Sequence, residues 1–222
     1  MEAEQYVPIV KRVGAVLVMV GLLDICYMIY CIMNRIAYSS SLNIFAVIVG
    51  IFLVRGSLTA AAIVRWFATF SLSAACSSVI ALLAITPLGL VLTYLRLYPR
   101  SAALDAAMVA VVLLFGLWIV HELSRRAVQS AMVSAGLRWR SIRIPAVAGA
   151  IMVAISASVV IIFIEHGASA DRAKSMAKEQ VGPGYSFVVS SLNFRRNDDG
   201  TSVTGEVTAW NEKEIREISV SW

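Results

Sequence analysis

Charge is scarce in this chain. Asp, Glu, Lys and Arg make up 15% of the 222 residues, against about 25% in an average soluble domain. A soluble globular domain must solvate its whole surface, so a composition this poor in charge argues against a free-standing soluble enzyme and against a disordered chain. Histidine occurs twice and cysteine three times. Cys26, Cys31 and Cys76 form no Cys-x-x-Cys pair and lie in apolar stretches, which argues against a zinc or dithiol site. His121-Glu122 is followed by Leu123-Ser124-Arg125, so the second ligand of a His-Glu-x-x-His zinc site is missing. Neither a glycine-rich phosphate loop nor a nucleophile elbow is present. We therefore expect no catalytic residue, no cofactor-binding residue and no metal ligand.

Apolar residues fill the space that charge leaves, at 59% of the chain. Long runs of them are spaced as membrane spans, each of about 20 residues. Spans are expected at about 13–33, 42–63, 66–95, 103–120 and 144–164. The stretch Leu42–Leu95 carries only Arg55 and Arg65. It is too long for one crossing, and we divide it near Arg65. Leu42–Val54 alone is short, so this segment is either a tilted span, a helix with Arg55 snorkelling, or a re-entrant segment; a four-span chain is the other count. The exit of the first span, Cys31–Arg35, has no small-x-small cleavage pattern, which points to an uncleaved anchor.

Orientation follows from the basic residues of the short loops. With the N-terminus in the cytoplasm, that side holds Lys11, Arg12, Arg55, Arg65, Arg125, Arg126, Arg138, Arg140 and Arg143, and the other holds Arg35, Arg96 and Arg100. The fold class expected is thus mainly α: a polytopic helical membrane protein of about five transmembrane helices, N-in and C-out. The expected location is a bacterial inner membrane with a periplasmic or extracellular tail.

The last 58 residues differ in composition. They hold seven basic and nine acidic residues, while the first 164 hold twelve basic and five acidic. The high isoelectric point therefore reports topology, and nucleic acid is not expected as a partner. Residues 165–182 read as a helical extension or linker, ended by Gly182-Pro183-Gly184. Residues 183–222 read as an extracytoplasmic three-stranded antiparallel β meander. Tyr185, Phe187 and Val189 alternate on one face, and the phase then shifts to Leu192 and Phe194, which predicts a β-bulge. Turns are expected at Asn197–Gly200 and Asn211–Glu214.

A meander this small needs cover for its apolar face. Phe187, Trp210, Ile218, Val220 and Trp222 are the candidate partner-binding residues, with the last strand offering an edge to a partner. The competing expectation is that the meander caps its own helices. Within the spans, Asp24, Arg55 and Arg65 are the polar residues to explain: Asp24 as a proton or cation site or as a packing residue, the arginines as positive-inside anchors. Ala146, Ala150, Ala154 and Ser158 make a small-residue stripe suited to helix packing, matched by Ala102, Ala106 and Ala110. Ser71, Ser73, Ser77 and Ser78 give the third span a polar region. In the basic loop, Val128, Met132, Val133, Leu137 and Trp139 offer an apolar face, and Arg125, Arg126, Arg138, Trp139, Arg140 and Arg143 are expected at the cytoplasmic lipid surface.

The reading these features support is a non-enzymatic integral membrane protein that acts as an accessory, assembly or immunity/exclusion-like subunit through its exported tail. Its partners would be membrane lipids and a protein partner or a second copy of the chain. The alternative is a small transporter or channel component built on Asp24.

Overall fold

The computed structural model describes residues 5–38, 43–139, 141–162, 167–197 and 200–222. Eight helices and three strands are formed among them: α1 (Tyr6–Met33), α2 (Asn43–Val54), α3 (Leu58–Ile85), α4 (Leu88–Leu97), α5 (Pro99–Leu123), α6 (Arg126–Ser134), α7 (Arg143–Val160), α8 (Ala168–Val181), β1 (Ser186–Asn197), β2 (Gly200–Trp210) and β3 (Ile215–Ser221). Helices α1, α3, α5 and α7 are long and apolar enough to cross a membrane. Helix α2 has 12 residues, about 18 Å at 1.5 Å per residue.

The division expected near Arg65 is corrected. That residue lies inside α3, and the chain turns at Arg55-Gly56-Ser57 instead. Gly56 adopts φ +79°, which glycine alone adopts without strain. Its N–H bonds to the Leu53 carbonyl at 2.8 Å, and the Ser57 N–H to the Phe52 carbonyl at 3.1 Å. This is a Schellman ending for α2. The Ser57 hydroxyl then accepts from the Ala60 N–H at 3.3 Å and starts α3. Residues 66–95 are likewise not one helix. The chain breaks at Thr86-Pro87, with Pro87 as the N-cap of α4, and Pro99 opens α5 at the position proline tolerates best.

The chain divides into two compact units, Met1–Ser73 with Val112–Gly149, and Ala74–Val111 with Ala150–Trp222. The first is organised on an α1–α2 hairpin. A Cβ on Gly14 would lie 2.7 Å from the Gly50 carbonyl oxygen, the Leu53 Cβ and the Val54 nitrogen, and a Cβ on Gly50 would lie 2.7 Å from Val18 Cγ2. The two backbones touch where both helices lack a side chain, the arrangement that lets apolar helices gain dispersion contact. As the contacts ascend α1 from Gly14 to Val18 they descend α2, so the pair is antiparallel. Val10, Val13 and Leu17 of α1, Leu53, Ala61 and Val64, Ile119 and Leu123 of α5, and Val128 and Met132 of α6 complete the core.

The second unit carries the sheet, with order β1-β2-β3 and both pairings antiparallel. The register of β1 slips between Val189 and Ser191, the bulge that the change of alternation predicts. The turn at 211–214 forms, with Asn211 Oδ1 accepting from the Lys213 and Glu214 N–H groups at 2.8 and 3.0 Å. The Asp198-Asp199 tip of the other turn lies outside the described residues. Residues 168–181 are not a simple extension of a span. Ala170, Ala173 and Ala177, one turn apart on α8, lie fully buried against Val189, Val207, Ala209, Ile218 and Val220. The sheet's apolar face is covered by its own chain. Burial of each of these valines and isoleucines contributes about 1.5–3 kcal/mol in water.

Candidate functional site

Two regions collect the residues singled out from the sequence. The first surrounds Arg65. Helix α3 holds this arginine two turns from its start, 5% exposed, in a largely apolar setting. Its guanidinium carbon stands 3.6 Å from the centre of the Trp139 ring. Stacking on indole compensates part of the lost hydration of the cation and leaves its N–H donors in plane. Nearby, Arg12 approaches the Trp118 ring at 5.9 Å, and the buried Glu122 accepts from Arg125 Nη2 at 2.7 Å. His121 is exposed beside it. Glu122 is thus committed to an ion pair that joins the end of α5 to the start of α6.

This geometry revises the expected lipid-surface face. Val128 and Met132 are buried in the first unit's core, Leu137 and Trp139 pack against it, and only Val133 of that apolar set is exposed. Arg125, Arg126, Arg138 and Arg143 are exposed; Arg140 lies outside the described residues. Arg65 is a buried residue rather than a surface anchor, while Arg55 is exposed. Asp24 is half-buried on α1.

The expected packing stripe is also displaced. On α7, Pro145 and Gly149 are buried and Val153 and Ala157 half-buried. Ala146 and Ala150 are half-buried, whereas Ala154 and Ser158 are exposed. The more buried face of α7 therefore lies one residue back from the alanine stripe. Ser73 donates to the Ala146 carbonyl at 2.6 Å. Ala102 is buried, but Ala106 and Ala110 are exposed.

The second region is the C-terminal module. Of the five candidate partner-binding residues, Ile218 and Val220 are buried under α8, and Phe187 and Trp222 are half-buried in the same cluster. Trp210 points to the opposite face of the sheet, is 8% exposed, and lies against α4, its Nε1 3.3 Å from where a Cβ on Gly89 would stand. Thr93 and Arg96 of α4, together with Ser186, Asn211 and Glu212, line a cavity of about 580 Å³ beside it. The five candidate side chains are used within the chain: four lie on the apolar face that α8 covers, and Trp210 lies against α4 on the other face.

What the module leaves available is backbone. Val203 and Trp222 exchange both N–H···O bonds, at 2.8 and 3.0 Å. Alternation along an antiparallel pair then turns the N–H and C=O groups of Ile215, Glu217, Ser219 and Ser221 away from β2. No strand among the described residues pairs with that side of β3. The solvent face of the sheet is polar, with a Ser190–Thr208 hydroxyl pair at 2.6 Å and Ser191 donating to Glu206 at 3.2 Å. At one end of β3, the Tyr185 hydroxyl donates to Glu214, which also pairs with Arg216 at 2.9 Å. The Tyr185 hydrogen bond and the Arg216 charge hold the Glu214 carboxyl below its ordinary pKa, and the same hydrogen bond raises that of Tyr185.

No family model matches the chain, and neither a curated protein nor a solved structure matches it. The functional reading therefore rests on these two regions.

Proposed function

We propose that this chain is a non-enzymatic, membrane-embedded accessory subunit, of the assembly or immunity/exclusion kind, whose C-terminal module recruits a protein partner by accepting a strand on the outer edge of β3. The observation that carries this reading is the edge itself: four residues of β3 with outward backbone groups on a sheet whose apolar face is already covered. A partner strand supplies main-chain hydrogen bonds there, and the exposed Arg216, Glu217, Ser219 and Ser221 select its sequence.

The location in this reading is supported by the helix order and the distribution of Lys and Arg. With α2 returning the chain beside α1, Lys11, Arg12, Arg55, Arg65, Arg125, Arg126, Arg138, Arg140 and Arg143 would share the cytoplasmic side of a bacterial inner membrane, with Arg35, Arg96, Arg100 and the tail from residue 165 on the periplasmic or extracellular side. In this reading α2 is the short second crossing and the count is five, N-in and C-out.

Substitution Ser219→Pro is the test. Proline lacks an N–H, and the Ser219 N–H is not used within the sheet, so the module keeps its fold. In native purification from mild detergent, a protein partner is expected to accompany the wild-type chain and to be lost with Ser219→Pro. Equal recovery of the partner with both chains overturns edge recruitment. A wild-type chain that purifies alone across conditions overturns the accessory reading itself.

A further inference from the structure

The first unit contains a cavity of about 660 Å³ between α3, the end of α6 and the start of α7, within the range of about 300–1,000 Å³ typical of small-molecule sites. We propose that it holds the headgroup and upper acyl segment of an anionic phospholipid. Ile63, Trp66 and Phe67 of α3 form an apolar wall, and Arg65, Arg138 and Ser141 supply the polar end. Ile63 and Trp66 are 52% and 39% exposed, so the wall continues onto the outer apolar surface of a helix long enough to span a membrane. Among the described lining residues there is no Asp or Glu.

Three features select this ligand chemistry. A buried guanidinium stacked on indole presents a fixed cation to the cavity, and Arg138 adds a second at its exposed margin, so the complement is an anion. The planar fork of arginine suits phosphate oxygens, and Ser141 offers a hydroxyl donor. The apolar wall requires that the anion carry hydrocarbon, which a soluble phosphate does not. Basic cavities between helices at the cytoplasmic surface are suited to acidic lipid headgroups on the same physical grounds. The inference rests on the membrane-embedded reading and is independent of partner recruitment on β3.

The full-length chain in vesicles provides the test, because Trp66 lies in the cavity wall and Trp139 stacks on a lining residue. Brominated phosphatidylglycerol and brominated phosphatidylcholine, each diluted in the same unlabelled neutral lipid, are compared as quenchers of tryptophan fluorescence. Phosphatidylglycerol is expected to quench at the lower mole fraction. Arg138→Ala is expected to shift its midpoint upward by about fivefold, the loss of one headgroup contact worth about 1 kcal/mol. Arg126→Ala removes the same charge from an exposed position outside the cavity lining and is expected to leave the midpoint nearly unchanged.

Equal quenching by the two lipids overturns the cavity assignment, and so does an equal shift in both variants, which means diffuse surface attraction. Relief of quenching by millimolar inorganic phosphate overturns the lipid in favour of a soluble phosphate ligand. No quenching by either lipid overturns the membrane-embedded reading as well, which separates the two failures.

Discussion

The two units bury their interiors by different means. The core of the first is made of Val, Leu, Ile and Met from α1, α2, α3, α5 and α6, brought together where Gly14 meets Gly50 and where Arg65 and Glu122 need partners. The C-terminal part of the second packs three alanines of a polar helix onto a small sheet. Residues 103–112 of α5, by contrast, are exposed all round the helix. On the proposed membrane-embedded reading, the difference is one of solvent. In hydrocarbon an apolar helix gains nothing by hiding its side chains, so tight packing is confined to close backbone approaches and to charged groups. In water the module must cover its apolar face, and α8 does so.

Several substitutions break or sharpen this contrast. The largest effect is expected at the α1–α2 crossing. Gly50→Leu places a side chain where Val18 Cγ2 stands at 2.7 Å and backbone atoms of Gly14 and Val18 at 2.9 and 3.0 Å, and should cost about 3 kcal/mol or more. Thermal unfolding in detergent would show it, and an unchanged midpoint would remove the hairpin from the list of close contacts. A matched pair comes next. Ala173→Leu crowds α8 against Gly205, whose Cβ position is 3.5 Å from Ala173, and is expected to cost about 1–3 kcal/mol. The same change at the exposed Ala106 should stay within about 0.5 kcal/mol. Limited proteolysis of the tail separates them; equal sensitivity would dissolve the proposed distinction between lipid-facing and water-facing helices.

A smaller effect is expected at the Glu122–Arg125 pair. Arg125→Ala leaves a buried carboxylate without its arginine, at about 1–2 kcal/mol, and adding Glu122→Gln should recover most of the loss in unfolding midpoint. The smallest is a pH effect on the module. The folded-state pKa of Glu214 is depressed, so its contribution is complete above the ordinary carboxylate value of about 4.3 and is lost as pH falls through the lower folded value. Hydrogen-exchange protection factors at β3, corrected for the pH dependence of intrinsic exchange, should fall on acidification through that window, and Glu214→Gln should flatten the dependence.

Much of the fold is legible before any contact is known. The phase change from Val189 to Leu192 marks the bulge, because side-chain direction in a strand has a period of two. The break at Arg55-Gly56-Ser57 is legible too, as a glycine that ends a helix followed by a serine that starts one, and placing the division at Arg65 weighs charge above that local signal. The site was less legible. A lone Arg65 in an apolar run reads as an anchor, since its partner Trp139 lies 74 positions away and no local pattern joins them. Phe187, Ile218, Val220 and Trp222 mark one interface, and whether that interface belongs to a partner or to α8 is a question of chain folding, as is the contact of Trp210 with α4 on the other face.

By itself the sequence determined the apolar helices, their breaks, the antiparallel meander and its bulge, and the asymmetry of Lys and Arg. Each depends on neighbours a few residues apart: periodicity, caps, turn residues and loop charge. Tertiary structure alone decided that Gly14 meets Gly50, that Arg65 is buried against Trp139 beside a cavity, that α8 occupies the sheet's apolar face, and that no strand among the described residues pairs with the outer edge of β3. Those outcomes depend on which distant surfaces fit, and fit is settled by close packing in three dimensions rather than by spacing along the chain.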